Sequence, residues 1–416
     1  MTTTMPSQTG SSQSPASQAG AAAQGSAAQA AAAQTSAEER AALVEAVRDF
    51  ADARLAPFAA QRDADHEFPV ATLREAGQLG LAAICVREDV GGAGLRRVDA
   101  IAIYEELARG DIAVATYISI HNMVAGMIDA EGTEEQRRQW LPRLCTMDDL
   151  GSYCLTEPGA GSDAAAVATT AVRDGDDYVL SGTKQFISGA GTSAVYVVMA
   201  RTGGADPELR GSRGMTAFIV PAGTPGLSFG AQEAKMGWNA QPTRAVILDG
   251  VRVPAANRLG AEGDGFGIAM RGLNGGRLGI AAASIGGAQF ALERTVAYVK
   301  QRATFGQPLS TRQHVQFQLA DMETELQAAR ALLERAAAKL DAKAPDAPVA
   351  CAMAKRFATD AGFRVADEAL QLHGGYGYLH EYGIERVVRD LRVHRILEGT
   401  NEMMRMIVGR AVLGER

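Results

Sequence analysis

Residues 174–199 read DGDDYVLSGTKQFISGAGTSAVYVVM. The three-to-four-residue spacing of apolar positions that marks a helix is absent here. Three short runs stand in its place: Asp177–Leu180, Gln185–Ile187 and Val195–Met199. They are rich in β-branched and aromatic residues, and the pair Asp174-Gly175 ahead of them is a turn signal. Two further runs, Met215–Val220 and Ala245–Leu248, extend the pattern, with Asp249-Gly250 read as another turn. Most of these runs have no helix-length segment between them. The sheet they predict is therefore antiparallel rather than built from βαβ units.

Both flanks of this region return to helical spacing. Upstream, apolar positions recur at helical intervals around Leu73 to Leu81 and Ile101 to Leu107. Ser36 and Glu39 have capping-box spacing ahead of Ala42, Leu43, Val47 and Phe50; Thr133 and Gln136 repeat it ahead of Trp140 and Leu144. Downstream of about Phe266, Ala-rich runs at 281–302, 313–340 and 349–372 are long enough for a bundle. Residues 1–37 contain only small and polar types besides two methionines, with no Lys, Arg, Asp or Glu. Such a segment cannot offset the entropy of ordering and reads as a disordered tail. Lacking arginines and a charged start, it resembles neither a transit nor a signal peptide. The expected division is a tail at 1–36, a helical domain at 37–150, a β domain at 151–265 and a helical bundle at 266–416.

The balance of 41 Lys+Arg against 48 Asp+Glu, 41 − 48 = −7, argues against general affinity for nucleic acid or anionic membranes. No run of 18 or more apolar residues is present, so nothing reads as membrane-spanning. Cys85, Cys145, Cys154 and Cys351 form no C-x-x-C pair and suit a reducing, cytoplasmic setting. There is no Walker loop, H-E-x-x-H or cysteine cluster, so a metal site and nucleotide hydrolysis lack support. Gly226–Gly230 matches the G-x-S-x-G elbow but is preceded by Pro225 and followed by no helical pattern. Gly159–Ala164 matches G-x-G-x-x-A but leads to a further β run, not a crossover helix.

Three segments hold candidate chemistry. Tyr153–Asp163 (YCLTEPGAGSD) has glycines that open backbone N–H groups beside the hydroxyls of Thr156 and Ser162. That set suits the edge of a flavin ring, and equally a plain connection between domains. Gln371–Tyr378 (QLHGGYGY) is either a helix stopped by glycine or a close approach for phosphate or ribose. Ile396–Glu402 (ILEGTNE) places Glu398 at a helix break, as a solvated cap or as a base whose pKa an apolar surround would raise.

At these residues the chain resembles the acyl-CoA dehydrogenase family. Cys154–Asp163 carries one family signature; Gln371 through Gly374-Gly375-Tyr376-Gly377 and Glu381 to Arg386 and Asp390 carries the other. The resemblance covers about residues 37–416 and implies an α+β fold: N-terminal helices, a middle antiparallel β domain and a C-terminal four-helix bundle. Within the family, YISIHNM (117–123), GWNAQPTR (237–244), NGGR (274–277), LADM (319–322) and GGYGYL (374–379) are most like members acting on isobutyryl-CoA in valine breakdown. Butyryl-CoA and 2-methylbutyryl-CoA are the alternative substrates.

The resemblance also implies roles. Glu398 would be the base that takes the α-proton while the β-hydrogen leaves as hydride to FAD, and electrons would pass on to an electron-transfer flavoprotein. Tyr153, Leu155, Thr156, Gly161 and Ser162 would hold the flavin ring, flanked by Phe186, Ile187 and Ser188. Arg302, Phe305 and Gln313, with Gln371, Gly374 and Gly375, would bind the FAD diphosphate and adenosine of a neighbouring subunit in a homotetramer. Thr400 and Asn401 would complete the flavin site. Ser162, Asn274, Arg277 and Arg410 would contact the CoA part. Many relatives carry Trp and Thr where this chain has Phe186 and Ser188, and Asp where it has Asn274.

Overall fold

The computed structural model describes Thr2 and residues 36–202 and 211–415. The tail expectation therefore lies almost wholly outside the described residues. Helix α1 spans Ala37–Phe50. The capping box ahead of it is formed: Ser36 N–H donates to Glu39 Oε2 at 2.8 Å and Glu39 N–H to Ser36 Oγ at 3.1 Å. The chain divides into two units, Met1–Leu43 and Val44–Arg416, and every element after α1 belongs to the second.

Helices α2 (Ala59–Asp65), α3 (Val70–Gln78), α4 (Arg97–Gly110), α5 (Ile112–Glu131) and α6 (Glu134–Cys145) follow. Asp111 separates α4 from α5 with an extended backbone, and its carboxylate accepts the Ala113 and Val114 N–H groups at 3.0 and 3.2 Å. The Thr133–Gln136 box opens α6 as expected. Helix α5 corrects one expectation: it is long and apolar enough to cross a membrane by length and composition. It is nevertheless a core helix, with 89% of its most apolar window buried inside the protein.

Strands β1 (Gly151–Cys154), β2 (Thr170–Asp174), β3 (Asp177–Ser188), β4 (Val195–Arg201), β5 (Met215–Pro221), β6 (Leu227–Phe229), β7 (Thr243–Pro254) and β8 (Arg258–Leu259) form one sheet in the order β6-β7-β3-β2-β4-β5-β8. Pairing is antiparallel throughout except along β4, which receives β1 and the first residue of β2 in parallel. The chain enters the sheet along β1 from the helices and crosses over before returning as β4, which fixes that direction.

Val195, Val197 and Met199 face a core shared with α5, α6 and the bundle, while Tyr196, Val198 and Ala200 face a second core inside the β domain. Burial on both faces explains the unbroken apolar run. Two predicted runs merge into β3. Asp249-Gly250 is no turn but a bulge within β7, where Gly250 adopts φ +64 and the register slips against β3. The G-x-S-x-G segment is short strand β6, paired to β7, and is not a nucleophile elbow.

Helix α7 (Gly265–Gln301) carries the chain into the bundle. A small hairpin, β9 (Ala303–Thr304) and β10 (Gln307–Pro308), leads to α8 (Gln313–Asp341) and α9 (Ala347–His373), then α10 (Ile384–Arg392) and α11 (Asn401–Leu413). Helix α7 packs against α8 and α9 and also against α4 and α5. It thus joins the two helical regions and carries Gly276, which stands against Glu398.

Candidate active site

Glu398 lies between α10 and α11, in a turn with two successive left-handed residues, Glu398 at φ +53 and Gly399 at φ +89. It is not a cap. Thr400 is the cap of α11, its hydroxyl accepting the Met403 N–H at 3.3 Å. The turn is fastened from two helices: Arg277 Nε on α7 donates to the Glu398 carbonyl at 3.3 Å, and Lys355 Nζ on α9 to the Gly399 carbonyl at 2.8 Å. Glu398 Oε2 is out of solvent with no hydrogen-bond partner among the described residues. Burial pushes the carboxyl up to about 7, with Lys355 and Arg277 pulling the other way.

Gly276 stands against this carboxylate so closely that a Cβ there would collide with it. One turn of α7 therefore supplies Asn274, Gly276 and Arg277. Asn274 Oδ1 accepts from Arg277 Nη1 at 3.0 Å, and both residues are buried. Tyr153 faces Glu398 from β1, its hydroxyl also out of solvent and unpartnered among the described residues. Asn401 is elsewhere engaged. Its buried side chain accepts from Lys355 Nζ at 3.0 Å and donates to Thr359 Oγ1 and Asp360 Oδ1, each at 2.9 Å. Its side chain is thus held by α9, and its backbone remains for a ligand.

The loop after β1 is shaped by a buried ion pair. Lys184 Nζ donates to Glu157 Oε1 at 2.8 Å and to the Leu155 carbonyl at 3.1 Å. The same carboxylate accepts the Ala168 and Thr169 N–H groups at 2.6 and 2.9 Å. Leu155 is thereby buried, Thr156 half-buried, and Gly161 and Ser162 exposed. At the end of β3 Phe186 adopts φ +59 and is 64% exposed, while Ile187 turns into the core. Ser188 uses its carbonyl to accept the Ser152 hydroxyl at 2.6 Å.

The start of β7, opposite Ile187 and Ser188, and the segment leading into it carry buried polar atoms without partners among the described residues: Trp238 Nε1, Asn239 Oδ1, both amide atoms of Gln241, and Arg244 Nε. Such orphans are rare in a finished interior. Unused donors and acceptors beside a freely exposed aromatic ring fit a planar, acceptor-rich group such as a flavin.

The second glycine cluster lies elsewhere. Arg302, Gln371, Gly374, Gly375 and Tyr376 line an open cleft of about 380 Å³ at the end of the bundle. Gly374 stops α9 with φ +60 and ψ −141, and Arg302 lies over the Tyr376 ring at 5.3 Å. Phe305, at the tip of the hairpin, is 97% exposed, and Gln313 is exposed at the start of α8. Neither lines the cleft. Arg410, exposed near the end of α11, joins neither place.

Motif reading assigns no role to Glu157, Lys184, Gly276 or Lys355. Of these only the Gly275-Gly276 pair inside a helix was a visible signal.

An N-terminal helical region, a β domain and a C-terminal bundle with a half-buried carboxylate packed against the bundle's first long helix define a flavoprotein-dehydrogenase type of fold. The N-terminal, middle and C-terminal domains of acyl-CoA dehydrogenase match residues 37–148, 152–251 and 263–413, and the chain belongs to the acyl-CoA dehydrogenase family. It is 54% identical to the mitochondrial isobutyryl-CoA dehydrogenase of Dictyostelium discoideum, over 87% of this chain and 86% of that one. It is 52% identical to the protein of that name from Bos taurus, over 88% and 87%. The solved butyryl-CoA dehydrogenase of Megasphaera elsdenii is 39% identical, with a TM-score of 0.87 over 91% of this chain and 99% of that one.

Proposed function

We propose that the protein dehydrogenates a short branched acyl-CoA across its α,β bond, converting isobutyryl-CoA to methacrylyl-CoA. The observation that carries this is Glu398 Oε2, out of solvent and unpartnered among the described residues, in a left-handed turn against Gly276. Relatives above 50% identity that are named for isobutyryl-CoA support the substrate.

Glu398 takes the α-proton, and its backbone N–H polarises the thioester carbonyl. One such donor is worth about 3–4 kcal/mol. Asn274 and Arg277, with Ser162 and Arg410, bind the CoA part. FAD, when bound, supplies the acceptor for the β-hydride. Tyr153, Leu155, Thr156, Gly161 and Ser162 would hold its ring, with Phe186, Ile187 and Ser188 at its flank and the Thr400–Asn401 backbone beside it. Arg302, Phe305, Gln313, Gln371, Gly374 and Gly375 would hold the diphosphate and adenosine of a neighbour's FAD. That reading carries a homotetramer, since the cleft and the exposed Phe305 stand apart from the Glu398 site. The three-part division at about 150 and 265, the electron-transfer flavoprotein as acceptor, a role in valine breakdown and a cytoplasmic setting belong to the same reading. Four free cysteines, three of them buried, favour a reducing compartment.

The test is anaerobic. Isobutyryl-CoA should bleach the yellow protein, and kcat/KM should rank isobutyryl-CoA above butyryl-, 2-methylbutyryl- and isovaleryl-CoA. The margin is modest, because one methylene is worth about 1–3 kcal/mol. A tenfold preference for butyryl-CoA would remove the substrate assignment and leave the family untouched.

A further inference from the structure

Lys355 is a lysine that the reaction as drawn leaves unused, and it is wholly buried. An ammonium is among the costliest groups to take out of water, and a buried one needs a reason. Both of its hydrogen-bond partners are neutral oxygens, the Gly399 carbonyl at 2.8 Å and Asn401 Oδ1 at 3.0 Å. These two residues follow Glu398 directly and open α11. Arg277, which holds the Glu398 carbonyl from the other side, completes a two-point clamp on the turn. Lys355 and Glu398 are also each other's leading electrostatic partners.

We propose that Lys355 is the positioning residue of the Glu398 base: its ammonium locks the turn that aims the carboxylate, and its charge keeps that carboxylate ionised near neutral pH. The inference rests on reading Glu398 as the base. Burial pulls the ammonium down to about 8, so it still carries its charge at neutral pH.

Other groups face this pair. They are Arg277 on α7, Tyr104 on α4, Tyr153 on β1, Asp360 on α9, Glu402 on α11 and the buried His394 ahead of the turn. Burial pushes both tyrosines up and His394 down, so all three are neutral. Asp360 is engaged by Arg395 at 2.9 Å and Arg405 at 3.2 Å, and Glu402 is exposed. Arg277 donates to Asn274 and to the Glu398 carbonyl, and its pull on the carboxylate is the smaller of the two. Lys355 is thus the charge whose removal changes the carboxylate most.

The FAD-loaded wild type is compared with Lys355→Met, Lys355→Gln and Lys355→Arg. Three quantities are read. The first is the pH dependence of single-turnover flavin reduction by isobutyryl-CoA. The second is the long-wavelength absorbance formed with a 3-thia acyl-CoA, whose acidified α-proton is removed without hydride leaving. The third is hydrogen–deuterium exchange over residues 396–401 without substrate. In the Met and Gln proteins the acid limb of both pH profiles should rise by about one pH unit or more, and Arg should return it toward wild type. Exchange over the turn should quicken by about tenfold in Lys355→Met.

An unmoved acid limb in a folded, flavin-replete Met or Gln protein overturns the proposal. If neither folds, Lys355→Arg decides, because it keeps the charge while altering the clamp. Its exchange must then quicken with the limb in place, and a limb that moves overturns the proposal. A wild-type protein that fails to reduce its flavin at all would instead remove the reading of Glu398 as base, and the exchange comparison would still judge the clamp.

Discussion

Glu398 is placed where a side chain is costly. A non-glycine residue in the left-handed region loses about 1–2 kcal/mol, and a carboxylate with one oxygen out of solvent and unpartnered loses more. Both costs fall on one residue because the turn must present it against Gly276. Replacing Glu398 with Gln keeps the shape and removes the base, so single-turnover flavin reduction should slow by about 10²–10⁴ with acyl-CoA binding retained. Stopped-flow absorbance checks it.

The same substitution should stabilise the protein, and the sign follows from the titration. Glu398 titrates near about 4.3 in an unfolded chain and near about 7 in the folded one. The fold prefers the protonated form, so this contribution is complete below pH 4.3 and is lost as pH rises to 7. At pH 8 the Gln variant should be more stable by roughly 1–3 kcal/mol, and at pH 4.5 the gap should nearly close. Thermal unfolding at the two pH values measures it, and a lower Tm for the variant at pH 8 would contradict the buried carboxylate.

Among the elements, β1 and β3 matter most, because the loop leaving β1 is tied to β3 through Lys184. Cutting Lys184 to Met leaves Glu157 buried without its counter-charge. Loss of one partner from a buried pair costs about 3–5 kcal/mol. Glu157 also organises the Ala168 and Thr169 amides, so the whole segment from Leu155 to Thr169 should loosen. The expected result is a markedly lower Tm and poor flavin retention, read by calorimetry and by absorbance after gel filtration. Unchanged flavin content in a destabilised protein would show the pair to be purely structural.

Across the whole molecule, the interior Glu398 site and the open cleft at Arg302 are served by different residues. Arg302 lies over Tyr376 within that cleft, where a guanidinium suits a diphosphate. Arg302→Ala should purify with substoichiometric FAD and a weakened assembly by analytical ultracentrifugation. A fully loaded Arg302→Ala tetramer would count against a cofactor shared between subunits.

Local pattern determined what local forces decide. The capping pairs at Ser36–Glu39 and Thr133–Gln136 form as spaced, because each bond spans a single turn. The long runs of the bundle became α7, α8 and α9, and the apolar stretch at Val195–Met199 became a strand buried on both faces. The glycine-rich loops and the family motifs were legible for the same reason, since a motif is a short-range pattern. Tertiary structure decided the rest. The parallel entry of β1 beside β4, and the bulge at Asp249-Gly250 where a turn was expected, depend on which strand lies alongside. Strand β2, which lies outside the predicted β runs, exists because β3 and β4 pair with it. The diversion of Asn401 into the interior, the clamp by Lys355 and the raised carboxyl of Glu398 could not be read from spacing. Burial and the approach of charges from distant helices set a pKa, and only the folded chain brings Lys355, Arg277 and Glu398 together.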